Sequence, residues 1–197
     1  ETLAFSMIDI TRWRGDRPFA DPFCGSGTIP IEAALYAKNI APGLHRSFIS
    51  EKWRIMPPHI YDDVREEVRS YENRDLIPRI YASDIDPRAV ELARQNARKA
   101  GVLDYIDFSR CDMKDAPLFY DKGVIVCNPP YGERLMDKKQ CEHLYKQMGE
   151  KFSHFPNAGK YILTSHEEFE KFFGRPADKK RKLYNGMLKC YLYQYFK

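Results

Sequence analysis

The stretch Phe19-Ala20-Asp21-Pro22-Phe23-Cys24-Gly25-Ser26-Gly27-Thr28-Ile29-Pro30-Ile31-Glu32-Ala33-Ala34 constrains the fold more than any other part of the chain. It opens apolar, as a buried strand does. It then breaks on two glycines one residue apart and continues in a helical alternation. A strand, a glycine turn and a helix in that order bring free backbone amides and a helix N-terminus to the C-terminal edge of a sheet. In an open α/β sheet that edge is where ligands bind.

The remainder repeats the alternation. A short helix is expected over residues 1 to 12, and the helix after the glycine turn from about Thr28 to Asn39, stopped by Ala41-Pro42-Gly43. Residues 43 to 58 read as a structured loop, and residues 59 to 74 as an exposed helix. Arg79 to Asp84 is a strand ending on an acid, and Asp86-Pro87 opens a helix with an N-cap and proline at its first position. That helix stops at Gly101, and Tyr105 to Arg110 is a third strand ending at Cys111-Asp112. Gly123-Val124-Ile125-Val126-Cys127 is an unbroken apolar run, the mark of a central parallel strand covered on both faces. A helix is expected over Leu144 to Phe155, a strand over Lys160 to Thr164 and a short helix over Glu167 to Phe173. The tail centres on Asn185-Gly186 between alternating runs, a hairpin signal. The fold class is therefore α/β, a doubly wound sheet with one reversed edge strand.

A chain of 197 residues, 43% hydrophobic and 30% charged, forms one domain with a proper core. No apolar run approaches the roughly 18 residues of a membrane span, and no signal peptide is visible. The abrupt start at Glu1-Thr2-Leu3 reads as a domain cut from a longer protein. The net charge of +4 is compatible with nucleic acid without demanding it, because most cations are interleaved with acids. Lys179-Lys180-Arg181-Lys182 is the exception, readable as a solvated strand edge or as a phosphate contact. The five cysteines show no CxxC spacing and the five histidines no HExxH pattern, which argues against a zinc site. Cys24, Cys111 and Cys127 sit at strand ends and read as reduced core thiols of a cytoplasmic protein.

Four strand ends now present polar residues on one edge: Asp21 with its glycine turn, Asp84, Asp112, and Asn128-Pro129-Pro130-Tyr131. The third glycine of a dinucleotide fingerprint is missing, with Pro30 in its place, and so is a phosphate-binding lysine. The turn is thus unsuited to a pyrophosphate and better suited to a ligand with an amino-acid end and an adenosine end. Asp84 can bond ribose hydroxyls, and Asp112 can accept from an adenine amine. Each aspartate alone reads equally well as a cap or turn residue. Two prolines after a buried strand fix an extended turn without amide donors. Carbonyls and the Asn128 side-chain oxygen then face one point, where they can accept from a planar NH2 group, and Tyr131 offers a ring for stacking.

Asp-Pro-Phe-Cys-Gly-Ser-Gly-Thr (21–28) and Asn-Pro-Pro-Tyr-Gly-Glu-Arg (128–134) together resemble class I S-adenosylmethionine-dependent methyltransferases that modify exocyclic nitrogens. More narrowly, the chain is similar to the THUMP-associated RNA methylase family, and within it to the catalytic domain of bacterial 23S rRNA guanine-N2 methyltransferases. The likeness extends over essentially the whole chain. It includes Glu1-Thr2-Leu3-Ala4, Ala41-Pro42-Gly43 with Trp53, Ser83 to Arg88, and Tyr184-Asn185-Gly186 with Cys190. The resemblance implies a Rossmann-like fold with a seven-stranded, mostly parallel sheet and an antiparallel last strand. It implies S-adenosyl-L-methionine as cofactor, RNA as partner and an RNA-binding THUMP domain upstream. It further implies that Asp21, Phe23, Cys24, Gly25, Ser26 and Gly27 hold the methionine end. Asp84 and Ile85 would hold ribose and adenine, Asp112 and Met113 the adenine edge, and Thr2 and Leu3 would close over the cofactor.

The expected reaction is an in-line displacement on an extruded guanosine, with Tyr131 stacked on the base and Asn128 and the Pro129 carbonyl accepting its N2 hydrogens. Positioning, rather than a strong base, carries such a reaction. The same acceptors suit N6 of adenine in DNA or a glutamine amide. A catalytically idle RNA- or partner-binding fold and a nicotinamide dehydrogenase are the readings of other classes.

Overall fold

The computed structural model describes residues 1–44, 46–118, 122–131 and 138–196. Seven strands form one sheet: β1 (Phe19–Asp21), β2 (Ile80–Asp84), β3 (Ile106–Arg110), β4 (Val124–Cys127), β5 (Gly159–Thr164), β6 (Lys179–Asn185) and β7 (Leu188–Tyr195). Their order is β3-β2-β1-β4-β5-β7-β6. All neighbouring pairs from β3 through β5 are parallel, while β7 runs antiparallel to both β5 and β6. The reversed strand therefore lies inside the sheet and β6 forms its edge. The order changes direction between β1 and β4, so the loops leaving those two strands part to either side and open a crevice.

Helices cover both faces, and the strand alternation decides which core each residue joins. In β4, Val124 and Val126 pack with α1 (Thr2–Thr11), α2 (Thr28–Lys38) and α4 (Pro87–Lys99), through residues such as Met7, Ile8, Ala33, Ala34, Ala93 and Ala97. Ile125 and Cys127 face the other way, into a core built with α5 (Lys138–Ser153) and α6 (Phe169–Phe173) through Cys141, Tyr145, Met148, Phe152, Phe169 and Phe173. Both faces being buried explains why β4 is apolar at every position. The remaining helix, α3 (Ile60–Ser70), contributes no buried residue and follows a 3-10 turn over Ile49–Lys52. Among the described residues no helix is long and apolar enough to cross a membrane.

Several boundaries differ from the sequence expectations for local reasons. Helix α5 starts at Lys138, six residues before the expected Leu144, because Cys141 already faces the core with Tyr145, Met148 and Phe152. Tyr105 ends a 3-10 turn, and β3 begins one residue later. Cys24 and Cys127 are buried as expected, whereas Cys111 is only half-buried.

Helix α5 approaches α6 unusually closely at Gly149, where a methyl group would lie 2.0 Å from the Phe173 carbonyl oxygen. Replacing Gly149 by alanine should therefore destabilise the domain by about 1–3 kcal/mol, although alanine is the better helix former. A thermal melt lowered by several degrees is the expected reading; an unchanged or raised melting temperature would refute the contact.

Candidate functional site

At the β1/β4 divide lies a cleft of about 1440 Å³. Its walls come from the β1 turn (Pro22, Phe23, Gly25), the β2 end (Asp84, Ile85, Asp86) and the β3 end (Asp112, Met113). They continue through the β4 end (Asn128 to Tyr131), one face of α5 (Lys139, His143, Gln147) and the β6–β7 tip (Asn185 to Leu188).

The glycine turn is tied down from the neighbouring strand. Cys24 N–H donates to the Ser83 carbonyl (2.9 Å), Gly25 N–H to Asp84 Oδ2 (3.0 Å), and Asp86 N–H to Asp84 Oδ1 (2.9 Å). One carboxylate thus fastens the β1 turn and the start of the β2 loop together. Gly25 and Gly27 both take positive φ, at 51° and 84°. Their surroundings differ: a side chain at Gly25 would meet open space, whereas one at Gly27 would come within 2.9 Å of the Ala93 methyl. Gly25 leaves room for a ligand, and Gly27 lets α2 pack on α4. Asp86 caps α4 as expected, accepting from Arg88 N–H at 2.9 Å with Pro87 following it.

Asp21 lies behind this turn at 1% exposure. Its Oδ1 accepts from Phe23 N–H at 3.0 Å, while Oδ2 is buried with no hydrogen-bond partner. Burial pushes the carboxyl up to about 8, the Phe23 bond opposes that, and the nearby Asp84 charge adds to it. A buried oxygen lacking a donor is costly, and a cationic group reaching it would remove the cost.

Across the divide, Asn128 Oδ1 is likewise buried and without a partner. Pro129 and Pro130 have no N–H with which to fasten their own turn, so other elements hold it. Tyr145 on α5 donates to the Pro130 carbonyl (3.0 Å) and lies 3.1 Å from the Thr164 hydroxyl, which itself accepts from His166 N–H (3.1 Å). At the other end Asn185 Nδ2 donates to the Tyr131 hydroxyl at 2.9 Å. An orphan carboxyl oxygen thus lies behind the glycine turn on one side of the cleft, and an orphan amide oxygen on the other. Between them lie apolar surfaces from Phe23, Ile85 and Met113.

Of the residues expected from sequence, Phe23, Gly25, Asp84, Ile85, Asp112, Met113 and Asn128 to Tyr131 line this cleft. Asp21, Cys24, Ser26 and Gly27 shape it without lining it, and Thr2 and Leu3, on α1, are not among its lining residues. Asp112 Oδ1 accepts from Lys114 N–H (3.0 Å), so this aspartate is also a turn residue. Gly132, Glu133 and Arg134 lie outside the described residues. Sequence reasoning missed the α5 wall, although buried Cys141, Tyr145, Met148 and Phe152 carried the helical spacing that reveals it. Among the described residues, no cluster of three or more His, Cys, Asp or Glu side chains could hold a metal ion.

The model of the RMKL-like methyltransferase domain matches residues 1–194. The chain belongs to that family. It is 50% identical over 196 residues to YpsC of Bacillus subtilis (strain 168), a protein named as an RNA methyltransferase, covering 100% of this chain and 51% of that one. Identity is 41% over 197 residues with the ribosomal RNA large subunit methyltransferase K/L of Shewanella amazonensis, covering 96% of this chain and 28% of that one. Among solved structures, SMU.472, named as a methyltransferase and complexed with SAH, superposes with a TM-score of 0.94 at 44% identity. The superposition covers 98% of this chain and 52% of SMU.472. A protein from Listeria monocytogenes named for N6-adenine-specific DNA methylation gives 0.92 at 47% identity, covering 99% of this chain and 50% of the other. The chain spans about half the length of YpsC and less of the K/L enzyme. The sheet is that of S-adenosylmethionine-dependent methyltransferases, seven-stranded and mostly parallel with one antiparallel strand.

The orphan oxygen of Asp21 gives a test by pH. A carboxyl raised to about 8 in the fold holds a proton that the unfolded chain releases near its ordinary value. Its ligand-free stability contribution is thus intact below about pH 4 and is lost as pH rises towards 8, at up to about 1.4 kcal/mol per pH unit. Denaturant titrations at pH 5 to 8 should show the Asp21→Asn variant gaining on the unaltered protein by that slope; parallel pH profiles would contradict the buried, unpartnered carboxyl.

Proposed function

We propose that this chain is the catalytic domain of an S-adenosylmethionine-dependent RNA methyltransferase that modifies the exocyclic N2 of a guanine in 23S rRNA. The observation that carries the reading is the buried, unpartnered Oδ1 of Asn128, set beside two prolines that bring no amide donor and of which the second has its carbonyl already bonded by Tyr145. That arrangement awaits a planar NH2 donor. The names carried by the ribosomal RNA K/L enzyme and by YpsC favour RNA as the bearer of that amine.

The residues of the opposite wall fit the cofactor. The Asp21 oxygen lacks a donor, which the ammonium of an amino-acid end would supply, and the space over Gly25 is open. Asp84 keeps acceptor capacity for ribose hydroxyls beside its two backbone bonds, and Ile85 and Met113 give apolar surface for a purine. When bound, the cofactor supplies an electrophilic methyl group on a sulfonium centre.

The chain's own contribution is geometric. Asn128 Oδ1 and the Pro129 carbonyl accept the two N2 hydrogens, which turns the nitrogen lone pair towards the donor side of the cleft. Tyr131 stacks on the base extruded from its helix. Tyr145 keeps the turn from yielding by donating to the Pro130 carbonyl. No side chain is needed as a strong base, because the nitrogen becomes acidic as it is alkylated and sheds its proton afterwards. The catalytic gain is orientation, and its loss is correspondingly steep. Selection of the target falls to an RNA-binding domain preceding this one in the full-length protein.

A second reading has one observation in its favour. The Listeria structure is named for N6-adenine DNA methylation, and the same two acceptors would serve an adenine amine. Incubation of the full-length protein with labelled cofactor and separate pools of rRNA, DNA and protein, followed by digestion to nucleosides or amino acids, decides between them. Label in N2-methylguanosine is expected, and label elsewhere refutes the assignment. Asn128→Ala should cut turnover by about two to four orders of magnitude while leaving cofactor affinity, measured by calorimetry, nearly intact. Equal losses in both would place Asn128 in cofactor binding instead.

A further inference from the structure

The β6–β7 tip contains an unusual placement. Asn185 pairs with Leu188, so the two turn residues are Gly186 and Met187. Gly186 takes φ 63°, which suits the first position of a primed hairpin turn. Met187 is 98% exposed, yet it lines the cleft beside Asn128 to Tyr131. Asn185, two positions before it, donates to the Tyr131 hydroxyl, so a side-chain hydrogen bond joins the tip to the tyrosine. On the same face of the hairpin, cations alternate with aromatic rings. Lys182 Nζ lies 5.9 Å from the Tyr184 ring centre, and Lys189 Nζ 5.3 Å from that of Tyr191. Lys180, farther along, is engaged by Glu170 at 2.5 Å, so the four-cation run does not act as a block. Lys139 on α5 adds a cation to the lining of the same cleft.

We infer that Met187 is a wedge: it enters the base stack that the target nucleotide vacates, while Asn185 couples that insertion to the placing of Tyr131 on the extruded base. The inference rests on the RNA reading above. A base that leaves a helix exposes two apolar faces, and proteins that open stacks fill them with apolar side chains, methionine among them. An unbranched, polarisable side chain adapts to such a slot. Interleaved lysines and tyrosines on the same hairpin give phosphates a counter-charge and unpaired bases a surface to stack on. Asn185 is a positioning residue, since it acts on the base only through Tyr131.

The test uses the full-length protein, labelled cofactor and an unmodified 23S rRNA transcript offered either folded in magnesium or heat-denatured. A wedge matters most when the base must be drawn from a helix. Met187→Ser should therefore lower the ratio of transfer to folded over denatured transcript about tenfold or more. Met187→Leu, which keeps an apolar side chain, should stay within about threefold of the unaltered protein. An unchanged ratio in Met187→Ser, or equal losses in the serine and leucine variants, would overturn the wedge while leaving the RNA reading intact. Failure of the unaltered protein to label either form of the transcript would overturn the RNA reading and the wedge with it. Asn185→Ala should lower kcat with little change in cofactor affinity; loss of cofactor affinity instead would refute the coupling through Tyr131.

Discussion

Everything on the acceptor side of the cleft follows from one constraint: the Asn128–Tyr131 turn cannot hold itself. Two consecutive prolines remove the amide donors with which a loop normally fastens its own backbone. The fixing bonds must come from elsewhere, and they do. Tyr145, buried on α5, donates to the Pro130 carbonyl, and Asn185, at the hairpin tip, donates to the Tyr131 hydroxyl. Both donors are far along the chain from the turn they hold. The second half of the sheet is thereby more than a closing element. Strand β5 supplies Thr164 beside Tyr145, α6 braces α5 at Gly149, and the β6–β7 hairpin carries Asn185 to the mouth of the cleft.

The other half of the sheet solves a different problem. Here the loops have amide donors to spare, and one carboxylate collects them: Asp84 takes the Gly25 and Asp86 amides with its two oxygens. The turn is thereby rigid before any ligand arrives, while Asp21 behind it keeps one oxygen unsatisfied. Satisfying the loop but not the deeper carboxyl leaves an unmet hydrogen-bonding demand at a fixed place, which a cationic donor can meet by taking the place of the proton. That demand is what separates this turn from a phosphate cradle of otherwise similar outline, which presents donors and repels cations.

Much of this was legible in the residues, and the reasons are specific. The Asp21–Gly27 turn, the unbroken apolar β4 and the Asp86-Pro87 cap all depend on local sequence, and all appear where expected. Misplaced features depend on tertiary partners. The hairpin turn falls on Gly186-Met187 instead of Asn185-Gly186 because the Asn185 side chain is drawn to Tyr131, and pairing with Leu188 keeps its backbone in the strand. The start of α5 escaped notice because Lys138, Lys139 and Gln140 precede its first buried residue. The reversed strand is expected at the edge, yet β7 is interior; Tyr193 and Tyr195 pack against α6, while β6 outside it has no buried residue. Thr2 and Leu3, tied to the cofactor by family likeness alone, stand on α1 and are not among the residues that line the cleft.

The shift of the turn by a single residue also decides what the hairpin can do. With Asn185 and Gly186 as the loop, the asparagine would stand at the apex and Met187 would enter β7. The observed register instead holds Asn185 in β6, within reach of Tyr131, and leaves Met187 at the apex with no core to join. A large apolar side chain on a tight turn gains nothing for the stability of the fold, since it removes no surface from water. It is better placed to gain when another surface closes over it, and the lysine- and tyrosine-bearing face behind it suits a polyanionic surface with flat apolar rings. One side-chain hydrogen bond, Asn185 to Tyr131, thus links the local choice of turn to the chemistry proposed for the cleft.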